Sequence, residues 1–399
     1  MSRNASSVAA QDRWLLPEGI EELLPAAAAR VENMRRDLLD LYRCWGYQLV
    51  MPPLVEYTES LLIGLGADLD LQTFKLTDQL SGRTLGIRPD ITPQTARIDA
   101  HSLRPEGPSR LCYAGTVVHT RPTSPFASRT PIQLGCELYG AEGVEADIEI
   151  ICLMLETLRV AGIDNITLDL GHVGIFRELM ACLSLSESDQ ARLFDALQEK
   201  SEALMKELLN QLDVDDGWRA LLAQLATLNG SVEVLATARS LFAERAPAAA
   251  EAVDRLEQVA IELERRNGPL SIHFDLCELH GYHYHTGLVF AAYASGHGEA
   301  VANGGRYDDV GEAFGRARPA TGFNTDLKTL LRLQGGDGAA SADGVFAPHS
   351  LGDDAWAEIS RLRAQGVRVV AGLPGQDAAP DCDRVLRRNG AAWSVESKI

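Results

Sequence analysis

From Ile132 to Tyr139 the residues alternate in character with a period of two, the signature of a β-strand. In a strand, Gln133, Gly135 and Glu137 share one face, and Leu134, Cys136 and Leu138 share the other. The second face demands an apolar core. The first combines an amide, an open space over a glycine and a carboxylate, which suits the floor of a small-molecule pocket. The same pattern also fits a strand whose polar face meets water. Either way, the chain must fold so that a sheet buries one side of this segment.

The surrounding pattern is that of a mainly antiparallel α+β domain. Val31, Met34, Leu38, Leu41 and Trp45 recur at helical spacing, predicting a helix from Pro25 to Trp45 that Gly46 ends. Tyr47–Leu54 reads as a strand broken by Pro52-Pro53, and Thr73–Ile87 as a hairpin turning at Ser81-Gly82. Thr92–Ser102 reads as a short helix, Arg110–Thr120 as a strand, Glu145–Ala161 as a helix and Ile166–Gly171 as a strand. From Ser184 to Arg266 the signals are helical only, opening on the capping box Ser184-Leu-Ser-Glu187. This block, 184–266, is expected to be an insertion in a domain spanning 13–334. Strand patterns resume at Ser271–Leu279 and Leu288–Ala292. Residues 1–12 read as a disordered tail and 335–344 as a Gly-rich linker. Residues 345–399 follow as a small C-terminal α/β segment.

Charge and cysteine usage exclude several classes. The 399 residues carry 37 basic and 56 acidic side chains, a formal net charge of -19, which disfavours binding to nucleic acid. The seven cysteines are scattered and form no C-x-x-C pair, which argues against a disulfide framework or zinc ribbon and fits a cytoplasmic protein. The polar start offers no signal peptide, and no apolar run approaches the ~18 residues of a membrane span.

Three further segments carry chemistry-bearing residues. Arg88-Pro-Asp90-Ile-Thr92 places a carboxylate and a hydroxyl at the start of a helix, as N-caps or as partners for a ligand ammonium. His280-Gly-Tyr-His-Tyr-His285-Thr-Gly287 holds three imidazoles and two phenols, but the spacing matches no zinc motif. It suits an aromatic wall against a flat ring, or a polar turn. Asn303-Gly-Gly-Arg-Tyr-Asp308 lacks the phosphate-loop pattern and reads as a tight turn. Ala320-Thr-Gly-Phe323 reads as the entry to a helix. No nucleophile elbow or dinucleotide fingerprint is present, so no catalytic residue, cofactor or metal is expected.

Taken in order, these segments resemble histidyl-tRNA synthetase, a class II aminoacyl-tRNA synthetase, from about Leu16 to Leu330. Pro52-Pro53-Leu-Val-Glu56 after the long helix resembles motif 1, the dimer interface of that family. Arg88-Pro-Asp90 with Gly115–Gly140 resembles motif 2. Gly281–Gly287 resembles the histidine loop, and Gly304–Leu330 resembles motif 3. The resemblance implies an antiparallel class II sheet flanked by helices. It also implies a histidine pocket in which Asp90, Thr92 and Gln133 face the amino group and Glu137 and Tyr284 line the imidazole. His285 stands where that family has tyrosine.

Three departures bear on function. Where the synthetase carries arginines for ATP and the activated carboxylate, this chain has Val118, His280 and Thr329. Losing one such contact costs ~10²–10³ in rate. A chain with these losses and a short C-terminal segment resembles the regulatory subunits of ATP phosphoribosyltransferase. That resemblance implies a non-catalytic partner of a short catalytic subunit in the first step of histidine biosynthesis. It implies feedback inhibition by L-histidine, self-association through the motif 1 region and a hetero-octamer. The rival expectation is an active or degenerate synthetase-like enzyme that activates an amino acid.

Overall fold

The structure is a computed structural model. It describes residues 14–63, 67–122, 124, 127–183, 185–277, 282, 284–335, 343–379, 381–390 and 392–397. The expected tail 1–12 and most of the expected linker 335–344 lie outside these residues, as does His280. The chain divides into two compact units. The larger carries Val31–Gly335, and the smaller joins Gly336–Ile399 with Leu23–Arg30.

The larger unit is built on one nine-stranded sheet. In chain order its strands are β1 (Gln48–Leu49), β5 (Ser109–Thr116), β6 (Ile132–Tyr139), β7 (Ile166–His172), β8 (Asn229–Gly230), β9 (Ser271–Asp275), β10 (Leu288–Ala294), β11 (Ala300–Arg306) and β12 (Ala320–Asp326). Their order in space is β1-β5-β6-β12-β11-β10-β7-β9-β8. Only β1 with β5 and β7 with β9 pair in parallel. A second, three-stranded antiparallel sheet holds β2 (Val55–Tyr57), β3 (Phe74–Thr77) and β4 (Thr84–Ile87), with the expected hairpin between β3 and β4.

The alternation in β6 is realised in the sheet. Leu134, Cys136 and Leu138 are at most 1% exposed on the core side. The helix Pro25–Cys44 (α1) buries Val31, Met34, Leu38 and Tyr42. Its Tyr42 ring meets Phe323 of β12 edge-on at 6.2 Å. The helix Val144–Val160, which follows α2 (Thr58–Leu61), α3 (Ala67–Gln72) and α4 (Thr92–Arg97) and is therefore α5, places Thr157 Oγ1 3.2 Å from the Tyr42 hydroxyl. Burying one such large apolar side chain stabilises the fold by about 1.5–3 kcal/mol.

The helical block follows β7. It comprises α6 (Val173–Cys182), α7 (Glu187–Gln198), α8 (Glu202–Gln211), α9 (Asp216–Leu225), α10 (Glu233–Phe242) and α11 (Pro247–Asn267). The block also contributes the two-residue β8 to the edge of the large sheet, where helices alone were expected. The cap of α7 is Ser186, which accepts from the Asp189 amide at 3.1 Å, two residues beyond the expected Ser184.

Two glycine-bearing segments differ from expectation. Gly304 and Gly305 lie inside β11, not in a tight turn, and Ala320–Phe323 is itself strand β12. The helix α12 (Leu327–Gln334) begins only after β12. Glycine pairs favour turns locally. Here β11 is clasped between β10 and β12, and a Cβ at Gly304 would stand 2.1 Å from the Gly322 carbonyl oxygen. Close packing between neighbours therefore selects glycine in an extended strand. The Thr92–Ser102 helix is α-helical only to Arg97 and continues as a π-helix, Ile98–Leu103.

The smaller unit has a four-stranded sheet, order β14-β13-β15-β16, from β13 (Val345–Ala347), β14 (Val369–Ala371), β15 (Arg384–Asn389) and β16 (Ala392–Ser397). The helix α13 (Trp356–Ala364) presses Ile359 and Leu362 onto Val345, Ala347 and Leu386.

Candidate functional site

The polar face of the large sheet carries a row of residues with little bulk. Glu137 of β6 pairs with Gly322 of β12, which pairs with Gly305 of β11, then Val289 of β10, then Gly171 of β7. Residues paired across strands point to one side. Three glycines in this row leave a trough, and two side chains lie in it. Glu137 bends over Gly322, where a Cβ would stand 1.6 Å from its Oε2, and the His285 ring covers Gly305.

Glu137 is the centre of a buried polar network. It is 1% exposed. Tyr113 donates its hydroxyl to Oε1 at 3.0 Å, and Tyr307 donates a short hydrogen bond to Oε2. Thr92 Oγ1 lies 3.0 Å from the Tyr113 hydroxyl and donates to it, because that hydroxyl's proton is spent on Glu137. Burial pushes the Glu137 carboxyl up to about 8, with the nearby Asp90 adding to the rise and the phenol bonds opposing it. When the carboxyl holds its proton, Oε2 donates along the short Tyr307 contact in the reverse sense, and the Tyr307 hydroxyl donates on to that of Tyr139 at 3.4 Å.

Asp90, Thr92 and Gln133 form the adjoining edge. Asp90 Oδ1 accepts from Gln133 Nε2 at 2.7 Å and from the Thr92 amide at 3.0 Å. Gln133 Oε1 accepts from the Ile91 amide at 2.8 Å. The N-cap of this helix is Ile91, not Asp90 or Thr92; Asp90 sits one residue earlier and accepts from the Thr92 amide as an Asx turn does, while the same oxygen holds Gln133. Arg88 supports this corner from below, donating Nη1 to the Pro52 carbonyl at 2.7 Å and Nε to the Thr116 carbonyl at 3.0 Å.

Tyr284 joins the network through stacking. Its ring lies on Tyr307, with centroids 5.1 Å apart and planes 28° apart, and its buried hydroxyl has no partner among the described residues. His285 turns away from Glu137. Its Nδ1 lies 3.3 Å from the Arg306 carbonyl, and burial lowers its imidazole to about 4, so the ring is neutral. His285 instead lines a separate cavity of about 340 Å³ with Asp169, Val289 and Asn303. Tyr113, Tyr139 and Tyr307 escaped the sequence reading. The alternation that exposes Glu137 also places Tyr113 on its face from β5, but only the β5–β6 register reveals it.

The space over Gly135 is not open. A Cβ there would stand 2.5 Å from the Tyr113 hydroxyl. A larger cavity, about 620 Å³, begins beside Gln133 and is lined by His119, Asn303, Asn324, Asp326, Thr329 and Arg332 among others. Among the described residues Arg332 is its single arginine, and that side chain donates to Thr329 Oγ1 at 2.9 Å. Thr329 Oγ1 donates in turn to Asp326 at 2.9 Å. Val118 presents its amide to the Arg88 carbonyl at 3.1 Å and brings no cation. Arg306, the arginine of the Gly-Gly-Arg segment, is committed to Asp147 and Asp308 and to the carbonyls of Ala141 and Gly143. Among the described residues no cluster suited to a metal ion is present, and no helix is long and apolar enough to cross a membrane.

Comparisons with known proteins agree along the whole chain. The family model "Histidyl-tRNA synthetase" matches residues 19–330, and the model "ATP phosphoribosyltransferase subunit HisZ C-terminal domain" matches 342–396. An ATP phosphoribosyltransferase regulatory subunit of Thioalkalivibrio sulfidiphilus is 55% identical over 388 residues, covering 96% of this chain and 98% of that one. A solved ATP phosphoribosyltransferase regulatory subunit/histidyl-tRNA synthetase from Bacillus halodurans is 29% identical, with a TM-score of 0.80 over 92% of this chain and 94% of that one. The histidyl-tRNA synthetase of Nostoc sp. PCC 7120, 18% identical, shares the fold with a TM-score of 0.76 over 94% and 91%. The sheet and these likenesses converge: the chain has a class II synthetase-like fold and belongs to the family of ATP phosphoribosyltransferase regulatory subunits.

Proposed function

We propose that this chain docks on a short catalytic subunit of ATP phosphoribosyltransferase, sustains its activity and transmits feedback inhibition by L-histidine. The reaction served is the joining of ATP and phosphoribosyl pyrophosphate at the start of histidine biosynthesis. The observation that carries the reading is the Glu137 network. Asp90, Gln133, Thr92 and Glu137 form a buried polar network beside a cavity that, among the described residues, is lined by one arginine, Arg332, itself bonded to Thr329. Such a site suits a ligand that is sensed and not activated.

In this reading the histidine ammonium meets Asp90 and Gln133, and its imidazole meets Glu137. Tyr113 or Tyr307 must yield the carboxyl, since both phenols hold it. Histidine then acts by its difference in affinity between an active and an inhibited assembly, the only way a ligand shifts an equilibrium. The dimer forms around the edge strand β1, where Leu49, Met51, Leu54 and Val55 are 37–74% exposed. Two such dimers would serve a hetero-octamer. The domain plan is a synthetase-like body, 13–334, and a small C-terminal segment, 345–399, joined by a linker.

The test is reconstitution with a catalytic subunit from the same cell. The complex should make phosphoribosyl-ATP faster than the catalytic chain alone, and L-histidine should inhibit it. Glu137→Ala should keep the activation and lose most of the inhibition. Inhibition that survives Glu137→Ala would remove histidine from this pocket. Histidine-dependent exchange of pyrophosphate into ATP by the chain alone would favour the synthetase-like rival.

A further inference from the structure

The helical block has no role in the pocket as described, yet it touches the pocket's loop. Tyr282 lies in an aromatic cluster with Phe176 of α6 and Phe194 of α7. Its ring centroid is 5.4 Å from Phe176 and 5.1 Å from Phe194, and those two rings are 6.0 Å apart. Phe194 belongs to the insertion, and Tyr282 to the segment that carries Tyr284 and His285.

Arg177, next to Phe176 on α6, holds the same segment at both ends. Its Nη2 donates to the Tyr282 carbonyl at 2.9 Å and to the His285 carbonyl at 2.7 Å, and its guanidinium lies 5.1 Å from the Tyr282 ring centre. Charge-assisted bonds of this kind are short and strong. Tyr282 and His285 are therefore both tied to α6 through one guanidinium. Between them, Tyr284 stacks on Tyr307, and Tyr307 holds Glu137.

A contiguous path results, from Glu137 through Tyr307, Tyr284 and His285 to Arg177, and from there to Tyr282 and Phe194. A ligand ring that displaces the Tyr307 hydroxyl must move a ring stacked on Tyr284. Through His285 and Arg177 that movement reaches Tyr282, whose neighbours are on α6 and α7. Packed side chains have discrete arrangements and not a continuum, so such contacts can carry coupling energy.

We propose that Arg177 and the Phe176–Tyr282–Phe194 cluster couple the Glu137 pocket to the helical insertion, which makes the insertion the element that responds to ligand occupancy. This rests on the reading that L-histidine binds at Glu137. Arg177 and Phe194 are positioning residues: neither touches Glu137 directly among the contacts above.

The experiment is hydrogen exchange on the full chain with and without saturating L-histidine, paired with calorimetric affinities. In the parent protein, histidine should slow exchange in 284–290 and also in 187–198. In Phe194→Ala the first protection should persist and the second should vanish, with affinity reduced about 5- to 150-fold, the usual span of coupling between sites. Phe194→Tyr should restore both. Protection of 284–290 with 187–198 unchanged in the parent would overturn the coupling while leaving the pocket intact. Full coupling in Phe194→Ala would overturn it as well. If the parent binds no histidine, the pocket reading fails first and this inference falls with it. The parent measurement decides the matter even where the alanine variant folds poorly.

Discussion

The Tyr113 hydroxyl donates to Glu137 at 3.0 Å while the same hydroxyl occupies the space above Gly135. One side chain thus partners the buried acid and fills the gap that a ligand would need. The site is closed by its own hydrogen bonds. In the proposed reading a ligand would compete with two phenols for one carboxyl, which would link affinity to conformational change.

The buried acid sets a pH dependence of stability. Its carboxyl is raised from 4.5 to about 8, chiefly by burial. Between those values the native chain keeps a proton that the unfolded chain has released. The stabilising contribution is complete below about 4.5 and is lost as pH rises through about 8, with a slope of at most about 1.4 kcal/mol per pH unit. Glu137→Gln holds no such proton and should flatten this part of the profile. Urea unfolding of both proteins from pH 5 to 8.5 checks this; parallel profiles would mean the carboxyl is ionised throughout.

The same proton shapes ligand affinity. In the proposed reading the ligand imidazole and Glu137 share one proton when bound. Below the ligand imidazole's pKa, about 6.5, binding must release a proton, and above about 8 it must take one up. Affinity for L-histidine should therefore peak between those values and weaken by up to about tenfold per unit on either side. Calorimetry in buffers of different ionisation heat reads the proton count. In Glu137→Gln the proton uptake at high pH should disappear, and its persistence there would assign it to another group.

Gly322 admits no side chain. A Cβ would stand 1.6 Å from Glu137 Oε2 and 2.8 Å from the Cys136 carbonyl oxygen. Gly322→Ala should cost about 1–3 kcal/mol, the range for overpacking a dense core, and abolish histidine binding by displacing the acid. Thermal unfolding and calorimetry on one preparation measure both. Normal histidine affinity in this variant would show that Glu137 does not touch the ligand.

The apolar edge beside β1 should hold the dimer. Met51 is 74% exposed and is flanked by Leu49 and Leu54. Met51→Glu buries a charge in that interface and should weaken association by about 2 kcal/mol or more, roughly 30-fold. Sedimentation over a concentration series reads the constant. An unchanged dimer would move the interface to another face.

Much of this fold was legible because its signals are local. The period of two in β6, the helical spacing of Val31, Met34 and Leu38, and the Ser81-Gly82 turn each depend on residues a few positions apart. The segment 184–266 announced itself by its helical pattern, apart from the two residues of β8. The expectation that Val118 and Thr329 stand at the synthetase's arginine positions comes only from setting the segments against a known family, and the local bonds of those two residues are what the structure adds.

The register across strands was not legible. Glu137, Gly322 and Gly305 become neighbours only because β12 lies between β6 and β11, and no local pattern encodes that order. By itself, Gly304-Gly305 has the propensity of a turn; clasped between β10 and β12 it is the strand that leaves room for Glu137 and His285. Likewise Tyr113 and Tyr307 reach one carboxyl from 24 and 170 residues away. The sequence determined which faces are apolar and which residues could cap, turn or bond, since those are properties of short stretches. The tertiary structure decided which of them share a site, because burial, the raised carboxyl and the closed pocket arise only when distant strands are brought within a few ångströms.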